Sequence, residues 1–144
     1  MPKMMTTILV MNTDGTRDTK EFSIGQQPEY RELCMILKPY FGTDFEHVSV
    51  WASFKGDGRF MRCDMFVDEN MHFKMRQELR NVAATNIYRN ATMMGMTGHK
   101  VPDDPEELPY ILGTAVLFDR RVWFCCCSYP RTLSVRVSSF GRSR

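Results

Sequence analysis

The pair Asp14-Gly15, set inside "TTILVMNTDGTRDTKEFSI", constrains this chain more than any other feature. Asp-Gly takes the positive backbone angles of a tight hairpin turn, and the runs on either side are β-prone. Two antiparallel strands must therefore open the fold. A second hairpin repeats the arrangement. In "HVSVWASF" the residues Val48, Val50, Ala52 and Phe54 alternate onto one face, and "KGDG" supplies the turn. "RFMRCDMFV" then places Met61, Cys63, Met65 and Val67 on one face, with Arg62 and Asp64 pointing the other way. Cys63 reads as a small core hydrophobe.

Between the hairpins lies "GQQPEYRELCMILKPYFG". Pro28 suits a first helical turn, Glu29 and Glu32 suit the positive N-terminal end, and Gly42 suits the stop. Tyr30, Leu33, Ile36, Leu37, Tyr40 and Phe41 recur at helical spacing, and Pro39 is expected to break the last turn. A second, longer helix is predicted over about 70–92, with Met75, Leu79, Val82, Ala83, Ile87 and Ala91 as its apolar stripe. A loop carrying Met93, Met94 and Met96 follows, with Glu106 near a short helical turn. A strand is expected over 111–118, and Asp119-Arg120-Arg121 turns into a last strand at 122–124. The order β-β-α-β-β-α-β predicts an α+β fold: a mostly antiparallel sheet of two hairpins plus C-terminal strand or strands, with both helices packed on one face.

With 144 residues, 43% hydrophobic and 25% charged, the chain fits one soluble domain that needs no disulfide or metal to hold a core. Its net charge of +2 conceals an asymmetry. The last fourteen residues carry Arg131, Arg136, Arg142 and Arg144 and no acid, whereas the rest holds fifteen basic against seventeen acidic side chains. We therefore divide the chain into a single domain over 1–124, and a Cys-rich junction with a basic Ser/Arg tail over 125–144. No run approaches the roughly 18 apolar residues of a membrane-spanning helix. The start "MPKMMTTILVMNTDG" lacks a secretory pattern, and the five cysteines are odd in number, so reduced thiols in the cytoplasm are expected.

Chemical motifs are scarce. No phosphate-binding loop and no nucleophile elbow is present. Zinc ligands come from spaced pairs, whereas Cys125, Cys126 and Cys127 are contiguous and would alternate across a strand. Neither a metal nor a cofactor is expected, nor is catalysis: His47, His72 and His99 fall in separate segments and read as solvated. Two carriers of binding remain. Arg120, Arg121 and Trp123 combine guanidinium and aromatic chemistry suited to phosphates and bases, joined by the arginine tail. Met93, Met94 and Met96 form an adaptable apolar patch suited to a protein partner.

The blocks "MFVDENMHFK", "NVAATNIYRN" and "EELPYILGTAVLFDRRVW" resemble a family of small phage- and plasmid-borne proteins known only as a domain of unknown function. The resemblance spans roughly residues 46–124 and departs at the methionine-rich loop and after Phe124. It implies a mobile-element accessory protein of the bacterial cytoplasm, and no catalytic residue. Together with the absence of catalytic motifs, this predicts a non-enzymatic protein that binds and modulates a host protein or other macromolecule, with a defence component among the candidates. The alternative is a nucleic-acid-binding regulator using Arg120, Arg121 and the tail. A weaker one is sequestration of a small nucleotide at a subunit interface, for which an oligomer would be needed. No membrane partner is expected.

Overall fold

The Asp14-Gly15 turn closes the first hairpin in the computed structural model, which describes residues 3–69 and 79–123. Gly15 adopts φ of +89°, and its N–H donates to the Asn12 carbonyl at 3.1 Å. The Asp14 carboxylate accepts the Thr16 hydroxyl at 2.6 Å and the Thr16 N–H at 2.9 Å. The Thr16 hydroxyl, helped by its N–H, holds the Asp14 carboxyl below its ordinary pKa. Strands β1 (Lys3–Met11) and β2 (Arg17–Gly25) run antiparallel from this turn, in register from Met11 opposite Arg17 to Lys3 opposite Gly25.

Helix α1 spans Tyr30–Phe41. It starts where Glu32 accepts the Glu29 N–H at 3.3 Å, and it ends at Gly42, whose φ of +66° few side chains tolerate. Pro39 does not break the helix as expected. It lies in the last turn, where its missing N–H removes one hydrogen bond and its fixed φ is already helical. Leu33, Ile36, Leu37 and Phe41 are buried, as the spacing predicts.

Strands β3 (Phe45–Ala52) and β4 (Met61–Asp68) form the second hairpin, and β5 (Ala115–Phe118) completes the sheet. The strand order is β2-β1-β5-β4-β3, antiparallel throughout. The late strand β5 thus joins the two hairpins, pairing Leu117 with both Leu9 and Met65. The α+β class and the element order are as predicted.

The placement of the helices differs from expectation. Helix α1 packs with Ile8, Val10, Phe66, Val116 and Phe118. Helix α2 (Val82–Met93) packs with Leu9, Met11, Met65, Val67 and Leu117. Neighbouring strand residues such as Ile8 and Leu9 face opposite ways, so the two helices cover opposite sides of the sheet. A sheet buried on both sides explains why β5 reads Ala-Val-Leu-Phe with no polar residue.

Helix α2 is also set differently. Of its predicted span, 70–78 lies outside the described residues, and the helix itself begins only after Asn81. That side chain accepts the Ala84 N–H at 3.1 Å and donates to the carbonyls of Met11 at 3.0 Å and Gly113 at 2.9 Å. An asparagine cap bonded to two other segments fixes this start. The buried face is consequently Ala84, Thr85, Tyr88, Ala91 and Thr92, while Val82 is exposed. The 111–118 strand is likewise shorter than expected: Gly113, at φ of +82°, turns its N–H to the Leu79 carbonyl at 2.7 Å. Arg80 and Arg89 place their guanidinium carbons 3.9 and 4.5 Å from the Tyr110 ring centre, tying this approach segment to the helix. The short turn near Glu106 is present as a single 3₁₀ turn, Pro105–Glu107.

Candidate functional site

Alternation along the second hairpin puts His47, Ser49 and Trp51 of β3 on the α1 side of the sheet, with Arg62, Asp64 and Phe66 of β4 opposite them. The inner part of this row is a closed clasp. Asp64 is fully buried, and its Oδ2 accepts the backbone N–H groups of Val122 at 2.7 Å and Trp123 at 2.6 Å. Its Oδ1 lies 2.8 Å from His47 Nε2. The His47 ring stacks on Trp123, with centres 5.1 Å apart and planes 15° from parallel. Phe66 and Tyr30 meet the same indole edge-on at 6.1 and 6.3 Å. Burial is the main cause that raises the Tyr30 hydroxyl to about 12.

This pairing corrects the reading of His47 as solvated. It also differs from a hydrolytic arrangement. A His-Asp pair works as a base when its second nitrogen faces a nucleophile. Ser49 stands directly across from Asp64, yet among the described residues no hydrogen bond links it to His47. With three donors on its carboxylate, Asp64 instead anchors the chain that leaves β5. The segment 122–123 is accordingly not a strand, because its N–H groups point at Asp64 and not at a neighbouring strand. His99, the other described histidine, is 2.7 Å from the Tyr88 hydroxyl and pins the loop after α2. Among the described residues, no three of His, Cys, Asp or Glu gather where they could share a metal ion.

The residues expected to bind a partner are dispersed. Arg120 turns inward: Nε donates to the buried Thr6 hydroxyl at 3.0 Å, one terminal nitrogen to the Gln26 carbonyl at 2.7 Å and the other to the Gly25 carbonyl at 2.8 Å. Burial is the first cause that lowers its guanidinium pKa. Arg121 is exposed, and Trp123 is a core residue with 8% of its surface accessible. Met93 and Met94 are exposed at the end of α2, whereas Met96 packs against the core on that side. The arginine tail and Cys125, Cys126 and Cys127 lie outside the described residues.

The outer part of the hairpin row is the surface that sequence reasoning missed. Trp51 is 38% exposed, and Phe60, just before β4, is 54% exposed. Met61, expected in the core, begins β4 opposite Ala52 on the other side of the hairpin and is 42% exposed. Lys55, Arg59 and Arg62 are exposed among these residues, and Arg62 pairs directly across from Trp51. The loop between them is internally bonded. Asp57 accepts the Arg59 N–H at 3.0 Å and lies 3.4 Å from the Ser53 hydroxyl, which accepts the Gly58 N–H at 3.2 Å. Its one acid is thus engaged while its cations project. The clue in sequence was Trp51 and Arg62, each on the alternate that should face away from the hairpin's core side. Among the described residues, no helix is long and apolar enough to cross a membrane. No protein-family model, no curated protein and no solved structure matches this chain.

Proposed function

We propose that this chain acts by binding, as a phage- or plasmid-type accessory protein that engages a host macromolecule through the outer face of the β3–β4 hairpin. The observation that carries this reading is the exposure of Trp51 and Phe60 on an internally hydrogen-bonded hairpin that also exposes Lys55, Arg59 and Arg62. Exposed aromatic side chains gain nothing from solvent, and together with arginine they are the residues that dominate interfaces. A hairpin held by its own bonds presents them with little entropy to lose on binding. The mobile-element origin rests on the sequence resemblance, and the host defence machinery is the first class of target to test. A cytoplasmic setting suits the free thiols of Cys34 and Cys63.

The test compares immobilised wild-type chain with a Trp51→Ala/Phe60→Ala double variant, both exposed to host lysate. A macromolecule retained stoichiometrically by the first and lost from the second supports the reading. Equal recovery on both, or none on either, sinks it.

A further inference from the structure

We infer that the occupant of this face is a single-stranded nucleic acid, its bases stacked on Trp51 and Phe60 and its phosphates met by Lys55, Arg59 and Arg62. The inference rests on the binding role proposed above and names the partner's chemistry. Three independent observations support it.

The first is the kind of exposed surface. Trp51 and Phe60 are flat rings left 38% and 54% accessible on or beside a sheet face, and among the described residues none of the close ring pairings includes either. Each base has a stacking face, so such rings bind unpaired bases with little regard to sequence.

The second is charge. Lys55, Arg59 and Arg62 form no ion pair among the described residues, and Asp57 turns its carboxylate into the loop. The neighbouring acid, Asp64, is fully buried and its charge is taken up by His47 and two backbone N–H groups. The exposed outer face is thus positive on a body that carries fifteen basic and seventeen acidic side chains over residues 1–130. Phosphates need such a local excess, whereas an apolar protein partner does not.

The third is the charge of the last residues. Residues 131–144 carry four arginines and no acid. Four arginines without an acid add to the attraction of the whole chain for a polyanion. Duplex fits less well, because its bases are already stacked on each other and are closed to Trp51 and Phe60.

The test uses the full chain with a fluorescein-labelled oligothymidylate, an oligouridylate and a duplex of equal length, followed by anisotropy. Similar affinity is expected for the two single strands, since neither stacking nor phosphate contact reads the sugar, with weaker binding to the duplex. Affinity should fall steeply between about 50 and 200 mM salt. Trp51→Ala should weaken single-strand binding by about tenfold or more, and Arg62→Ala should flatten the salt dependence by about one phosphate contact. Arg59→Glu gives a second surface variant should Trp51→Ala fold poorly, and Met94→Ala on the opposite side should change nothing. Failure to bind either single strand at low salt overturns the inference, as does binding unaffected by Trp51→Ala, Arg59→Glu and Arg62→Ala. Trp51-dependent capture of a nuclease-resistant protein without oligonucleotide binding also overturns it, leaving the binding role intact. Loss of both overturns both.

Discussion

The backbone N–H of Trp123 donates to Asp64 Oδ2 at 2.6 Å across 59 positions of sequence. That bond, its companion from Val122 and the His47 contact make one buried carboxylate the fastening point for the chain leaving β5. The arrangement predicts a strong asymmetry between substitutions. Asp64→Ala leaves two buried N–H groups without an acceptor and should cost about 3–5 kcal/mol in urea unfolding. Asp64→Asn keeps one acceptor oxygen and should cost roughly half of that. Equal small losses for both would show that the clasp contributes little.

Arg120 should behave as a structural residue. Its guanidinium joins Thr6 and the Gly25–Gln26 carbonyls to the end of β5. Arg120→Ala should lower stability by about 2 kcal/mol, and Arg120→Lys should not restore it, because an ammonium cannot reach all of these acceptors in one plane. Oligonucleotide affinity of the folded Arg120→Ala variant should stay within about twofold of wild type. Thermal melts and anisotropy on the same samples check both halves.

Asn81 should be among the most sensitive polar positions. It caps α2 and bonds the carbonyls of Met11 and Gly113 while buried. Asn81→Ala should cost about 2–3 kcal/mol, more than an exposed cap. Asn81→Asp retains the cap acceptor but sets a carboxylate against two carbonyls, so it should rescue little. Chemical denaturation of the three proteins decides this.

Burial pushes the Cys63 thiol from an ordinary 9.0 up to about 12. Between those values the unfolded chain releases the proton and the folded chain keeps it. Stability from this group is therefore constant below about pH 9 and falls as pH rises toward about 12. Tyr30, raised from 10.0 to about 12, acts in the same direction above pH 10. Cys63→Ala should reduce the alkaline slope of unfolding free energy. In native protein at pH 8, iodoacetamide should modify the half-buried Cys34 well before Cys63, as read by peptide mass mapping.

The elements were legible because local rules decide them. Asp14-Gly15 can hardly do other than turn, alternation from Val48 to Ala52 marks a strand with one buried side, and Glu29, Glu32 and Gly42 delimit α1 by satisfying helix ends. Where local preference met a distant partner, the partner won. Val82 was assigned to the core by spacing, but Asn81 bonded to Met11 and Gly113 resets the phase of α2.

The binding surface was less legible. Arg120 and Trp123 have the residue types of a binding site, and Arg120 is spent on carbonyls from β2 while Trp123 is spent on His47 and Phe66. Trp51 and Arg62 read as ordinary outward alternates, because a strand's sequence does not say whether a helix will lie over it.

Residue order by itself determined the two hairpins, the two helices between and after them, and hence the α+β class, since turn chemistry and periodicity act over a few residues. Only the tertiary structure decided that β5 would enter between β1 and β4, that the helices would take opposite sides, and that Asp64 would be buried while Trp51 stayed open. Those outcomes depend on pairings between segments dozens of residues apart, chosen by which apolar faces close together with every buried polar group satisfied.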